Sequence, residues 1–239
     1  MKISPRELQE LATDVDDLHR DSMRTFREEV GELHAEVADN GRRRFLTTAA
    51  VGGAGLAAGS AFLPVGRLLP SAFARQSLTD VDIAVFAESV ELAAVEAYKA
   101  GAPLLSKEVL PVAQLFLGHH QEHAGAFGAL AGSKATGKPN AALIKALTPT
   151  LQGLKTQEDV LKFARSVEDQ AVATYAFALT ALTSADAATG TATILPVEAA
   201  HSVALGLALG ESPADQFPTG AFETADIAKG IDPAKYPVA

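Results

Sequence analysis

The sequence predicts an all-α protein whose centre is an antiparallel four-helix bundle. Three observations carry that expectation. Hydrophobic residues make up 48% of the chain but are mainly Ala, Leu and Val, while aromatics reach only 6% and Trp is absent. Small helix formers at this density suit closely packed helices better than a sandwich of sheets. No stretch alternates polar and apolar residues with the period of two that a half-buried strand requires. Finally, one helical pattern of acidic residues and histidines occurs twice in the chain.

Each helix has its own signals. The first long one is expected over 78–100, with Thr79 or Asp80 as N-cap and Gly101 and Pro103 closing it. A second is expected over 106–131, with Pro111 near its start, ending in a loop rich in Gly, Lys and Pro at 132–140. A short helix covers 141–147, a third long one 156–183 and a fourth 193–209. After Glu211 the tail is rich in Pro, Gly and Asp, so it should wrap the bundle as irregular structure.

The repeat is the informative feature. Glu91, Ala94, Val95 and Tyr98 follow the pattern E-x-x-A-V-x-x-Y, and so do Glu168, Ala171, Val172 and Tyr175, 77 positions further on (91 to 168). His120 and His123 on the second helix match Glu198 and His201 on the fourth, 78 positions on (123 to 201). A helical hairpin thus occurs twice, and i, i+3 spacing puts both side chains of each pair on one helix face. Carboxylates turned into a bundle need a proton, a partner or a cation. Residues 75–239 contain four histidines, His119, His120, His123 and His201, and all fall within these motifs. The expected site is therefore a metal centre. Tyr98 and Tyr175, two turns beyond each glutamate, are expected to pack in the core with a satisfied hydroxyl.

Other chemistries are excluded by what is missing. The chain has no Cys, which rules out disulfides, thiolate metal sites, iron–sulfur clusters and cysteine nucleophiles. A net charge of −9 leaves no basic surface for nucleic acid. It contains neither a phosphate-binding glycine loop nor a nucleophile elbow.

Ahead of the bundle lies an address. Arg42 and Arg43, followed by Arg44, Phe45 and Leu46, resemble the bacterial twin-arginine export motif. An apolar Gly/Ala-rich stretch follows at 48–69, and Ala72-Phe73-Ala74 offers a small-x-small cleavage site. The resemblance implies the twin-arginine translocase as a partner and an exported, periplasmic or cell-envelope location. The stretch 48–69 is also long enough to remain as a membrane anchor. Before it, Leu8, Leu11, Val15, Leu18, Phe26, Val30, Leu33 and Val37 recur mostly every three or four residues, interrupted near Ser22. That describes an amphipathic helix. It is either a solvated helix lost with the signal or a segment for self-association or partner docking, and Met23 offers an alternative start. The expected organisation is therefore 1–40 helical extension, 41–74 signal or anchor, 75–210 bundle and 211–239 tail.

The repeated motifs resemble those of the ferritin-like superfamily, in which two helices each give a Glu and two others each give a Glu-x-x-His pair to a dimetal site. Glu91 through Tyr98 is similar to the first-helix signature of ferritin-like domains related to desiccation-associated proteins. The resemblance, over 78–209, implies that Glu91 and Glu168 are terminal carboxylates, that Glu198 bridges two metals, and that His123 and His201 each ligate one. His120 stands where the family's second bridging Glu would be. With three carboxylates rather than four, two divalent ions leave a net charge of +1. A site richer in imidazole is less selective, so iron is the first expectation, with manganese, zinc or copper as alternatives. A rotated second helix would instead present His119, Glu122 and His123. Two functions follow: a metal-dependent oxidase acting on ferrous iron or peroxide, or a non-catalytic bundle for envelope stress protection or metal sequestration.

Overall fold

The structure, a computed structural model, describes residues 3–47, 78–212, 216 and 230–238; for residues 29–30 and 32–47 only the backbone is described. All its regular structure is helical. The helices are α1 (Pro5–Thr47), α2 (Asp80–Gly101), α3 (Leu110–Ala131), α4 (Ala141–Gly153), α5 (Gln157–Ala181) and α6 (Ala185–Leu209), with short 3₁₀ turns after α2 and α3. No strand occurs among the described residues.

The duplication reaches the helix starts. Thr79 opens α2 with a capping box: its side chain accepts from the Asp82 amide, and the Asp82 carboxylate accepts from the Thr79 amide. Thr156 and Asp159 do the same for α5. Each box satisfies two amides that a helix N-terminus leaves unpaired.

Several boundaries differ from expectation. Helix α3 starts at Leu110, so that Pro111 lies in the first turn, where its missing N–H removes no helical bond. Helix α4 continues past 147 through Pro149 to Gly153. Helix α6 begins eight residues early, at Ala185, capped by Ser184 and ended by Gly210 at φ 89°. The Gly and Thr residues of 185–193 are weak helix formers that tertiary packing overrides. Gly190 is one of them, and a Cβ there would lie 3.1 Å from the Phe26 ring.

The largest correction concerns α1. Over the stretch from Leu8 to Phe26 it is not a solvated helix, because it packs on α3 and α6 of its own chain. Its buried stripe is Leu8, Ala12, Val15, His19, Ser22 and Phe26, an unbroken alternation of four- and three-residue steps, with Met23 beside it. Leu18, expected in the stripe, is 39% exposed. The interruption in the sequence was only chemical, since His19 and Ser22 are polar but occupy core positions.

Contacts explain why α1 is accommodated. Helix α2 packs extensively on α3, and α5 on α6, whereas α3 meets α6 only slightly and α2 meets α5 little. Two seams therefore separate the hairpins. Helix α1 fills the α3–α6 seam: Met23 and Phe26 join Phe127, Tyr175 and Ile194 in one core cluster, and Leu8, Ala12 and Val15 join Phe116, Leu161 and Leu205 in another. Burying each large apolar side chain contributes roughly 1.5–3 kcal/mol before ordering costs. Leu143 of α4 and Ile231 of the tail cover the α2–α5 seam, packed on Phe86, Val90 and Ala93. The Ile231 amide also donates to Thr174 Oγ1 at 2.8 Å, so this part of the tail does wrap the helices.

Candidate metal centre

Between the two seams, four helices deliver six ionisable side chains to one interior region. Glu91 comes from α2, His120 and His123 from α3, Glu168 from α5, and Glu198 and His201 from α6. Glu91 is 2% exposed and the other five are fully buried.

The distances sort them into two overlapping groups. Glu91, His120, His123 and Glu198 can each offer a ligand atom within 4.8 Å of the others, and so can His120, Glu168, Glu198 and His201. His120 and Glu198 belong to both. His120 Nδ1 lies 2.7 Å from Glu91 Oε2, and its Nε2 lies 3.2 Å from Glu168 Oε1. His201 Nδ1 is 3.3 Å from both Glu168 Oε2 and Glu198 Oε2. His123 Nδ1 approaches Glu198 Oε1 to 2.7 Å, yet both atoms lack a hydrogen bond of acceptable alignment. These buried groups could hold a divalent metal ion, and oxygen and imidazole donors suit several first-row ions without fixing which.

The buried carboxylates and imidazoles compensate one another's charge. Burial pushes the Glu91 carboxyl up, but the His120 and His123 imidazoles outweigh it and hold it below the usual range. Glu168 sits well below, burial again being outweighed, by His120 and His201. Burial disfavours charge on His123, yet Glu198 and Glu91 raise it to about 9. Burial is likewise outweighed by Glu168 at His201, which is raised, and by Glu168, Glu198 and Glu91 at His120, which is raised strongly. Protonated histidines would do the work that a cation would do, and ligating a metal would require their release.

Residues outside this set were missed or misplaced by sequence reasoning. Tyr98 and Tyr175 are buried with satisfied hydroxyls, as expected, but their partners are Glu168 and Glu91 of the opposite hairpin. The shared E-x-x-A-V-x-x-Y pattern was the available signal. His119 turns from the six-residue group: its Nδ1 is 2.9 Å from His201 Nε2, and its Nε2 is 3.2 Å from Asp16 Oδ1 on α1. Burial, followed by the nearby His201 and His19, pushes His119 down to about 2, so it is neutral. His19 stacks on it with ring centroids 3.8 Å apart and is held near 3, chiefly by burial. The rotated alternative does not form, because the Glu122 side chain is 57% exposed and meets only His19 of these residues, at 3.4 Å. Arg42, Arg43, Phe45 and Leu46 lie on the helical backbone of α1, their side chains outside the described residues. Ala72, Ala74 and the stretch 48–69 also lie outside the described residues.

An all-helical fold with carboxylates and histidines gathered between two similar hairpins defines a class of helical proteins with a buried carboxylate–histidine cluster. The chain belongs to the ferritin-like domain family, whose model matches residues 79–211, more than half of its length. No curated protein and no solved structure matches it at a significant level.

Proposed function

We propose that this is an exported metal-binding protein whose α2, α3, α5 and α6 form an antiparallel four-helix bundle around a two-metal centre. The observation that carries the reading is the pair of overlapping four-residue groups sharing His120 and Glu198. Glu91 and His123 would serve one cation, Glu168 and His201 the other. Glu198 would bridge them, with His120 where a second carboxylate would otherwise bridge. Bound there, the metals would supply Lewis acidity and, if iron, redox capacity.

The chain's own part is to exclude water, since all six side chains are buried, and to hold the carboxylates through Tyr98 and Tyr175. Oxidation of ferrous iron or consumption of peroxide rests on family membership. Sequestration or stress protection is favoured by His120, which leaves three carboxylates and a net charge of +1 with two divalent ions.

Export rests on the twin-arginine-like residues Arg42 and Arg43, the apolar stretch 48–69 and the Ala72–Ala74 site. Helix α6 is also apolar and long enough to cross a membrane, but it carries Glu198 and His201 in the protein interior, where a helix apolar on most sides serves as core.

Metal content and melting temperature of wild type, Glu168→Ala and His201→Ala provide the test. Wild type should bind metal and melt higher with it, and both variants should lose that gain. A wild type that stays metal-free when metal is supplied, with variants melting unchanged, would sink the reading. Ferrous-iron oxidation or peroxide turnover by the loaded protein then separates the oxidase from the sequestration reading.

A further inference from the structure

We infer that His19 of α1 and Glu122 of α3 form an outer site for a divalent cation, through which the metal centre is loaded from solvent. The inference rests on the metal-centre reading above.

His19 and Ser22 are the odd residues of the α1 stripe, polar yet buried, at 1% and 5% exposure. Neither ring nitrogen of His19 has a hydrogen-bond partner, and neither has Ser22 Oγ. Buried polar atoms left unpaired cost stability, so a core position that keeps them points to something they bind. An apolar side chain at 19 would serve packing alone better.

The nearest carboxylate fits a cation. Glu122 Oε2 lies 3.4 Å from His19 Nε2, and the two do not form a hydrogen bond. That separation is longer than the usual N–H···O range. It is the spacing of two donors on one tetrahedral ion, since metal bonds of about 2.0–2.2 Å place neighbouring donors about 3.4 Å apart. Two protein donors leave the other positions to water, so an ion held here would exchange readily.

Position supplies the route. The Glu122 side chain is 57% exposed. It borders a groove of about 440 Å³ between α1 and α3, lined also by Met23, Phe26, Arg27 and Gly125. His19 stands behind it, with its ring centroid 5.1 Å from that of His123. An exposed carboxylate, a buried imidazole and a proposed ligand of the centre thus follow one another inward. The α2–α5 seam is covered instead by apolar side chains, Leu143 and Ile231 packing on Phe86, Val90 and Ala93.

The experiment follows Co²⁺ binding to the full chain by absorbance, at equilibrium and in stopped flow. Wild type should take up one weakly held ion beyond those of the centre. Glu122→Gln, a change at an exposed position, should remove that ion and slow filling of the centre on the order of tenfold. The centre's equilibrium affinity should stay within a few-fold of wild type. His19→Phe, which keeps a ring to stack but has no donor, should act alike. Glu96→Gln removes a half-exposed carboxylate from α2 and should change neither quantity.

The outcomes separate the two readings. Equal loading rates in wild type, Glu122→Gln and His19→Phe overturn the entry route and leave the centre intact. A wild type without the weak ion, or variants that keep it, overturn the outer site. Loading slowed as much by Glu96→Gln also overturns it, because general charge alone would then explain the effect. If wild type holds only the weak ion and Glu122→Gln loses it, the outer site stands and the metal-centre reading falls.

Discussion

The Tyr98 hydroxyl on α2 donates to the Glu168 carboxylate on α5, and the repeat-related Tyr175 on α5 donates back to Glu91 on α2. The two hairpins are thus joined by a reciprocal pair of hydrogen bonds across the centre, with all four groups buried. Burial, then the Glu168 charge, pushes the Tyr98 hydroxyl well above its ordinary pKa, so it stays a donor. Hydrogen bonds to a charged partner contribute on the order of 1.5–3 kcal/mol. Tyr98→Phe and Tyr175→Phe should each lower metal-free stability by about that much, and the two losses should be similar. Urea unfolding of each variant checks this; a large loss in one and none in the other would show that the reciprocal pair is not energetically symmetric.

That pair also shows where legibility stopped. The residues that gather in the interior cluster could be read because Glu and His at i, i+3 on an apolar helix are rare and were repeated at matching intervals. The tyrosines were visible, but their partners were not, because a hydroxyl reaching across to another helix leaves no periodic trace. Helix α1 was legible as amphipathic, while its docking surface was hidden. His19 and Ser22 interrupt the apolar stripe in composition only, and the seam they enter exists only after α3 and α6 have been arranged. The early start of α6 was hidden for a related reason: Gly190 weakens the local helix signal and leaves room for Phe26.

Docking of α1 should be separable from folding of the rest. Phe26 is 1% exposed and meets Phe127 edge-on at 5.6 Å. A buried Phe→Ala change typically removes about 3–5 kcal/mol, but here the loss to α2–α6 is capped at the free energy of docking. In Phe26→Ala, α1 amides should exchange with deuterium much faster, while those of α2 and α5 stay protected. Gly190→Leu should act alike from the other side, because its side chain would enter the volume of the Phe26 ring. Uniform loss of protection throughout would mean that α1 is inseparable from the rest of the fold.

The metal-free and metal-bound proteins should differ in their response to alkali. His123 is raised from 6.5 to about 9 in the folded protein, because Glu198 and Glu91 outweigh burial. Its charged form therefore contributes stability that is full below about 6.5 and lost as pH rises through about 9. Metal binding takes the neutral imidazole, so the loaded protein lacks this loss and metal affinity rises across the same window. Calorimetric melting of metal-free and Zn²⁺-loaded protein from about pH 6 to 9.5 should show a falling curve for the first and a flatter one for the second. Parallel curves would count against His123 as a ligand.

Docked α1 and a membrane-crossing 48–69 cannot coexist in one chain. The stretch has 22 residues, which as a helix would extend about 33 Å, enough for a hydrocarbon core about 30 Å thick. A single crossing would leave α1 on one side and α2–α6 on the other. Export should therefore require α1 to leave its seam, taking Asp16 and His19 away from the histidines. Because the chain has no cysteine, a pair introduced at Ser22→Cys and Thr193→Cys can tether α1 to α6 where Thr193 Oγ1 already meets the Ser22 carbonyl at 3.3 Å. In cells whose cytoplasm permits disulfides, the tethered chain should remain inside, the reduced one should be exported, and Arg42→Lys with Arg43→Lys should stay inside in either state. A tethered protein recovered outside the membrane, with α1 still attached, would show that α1 travels with α2–α6 and that 48–69 does not stay behind as a span.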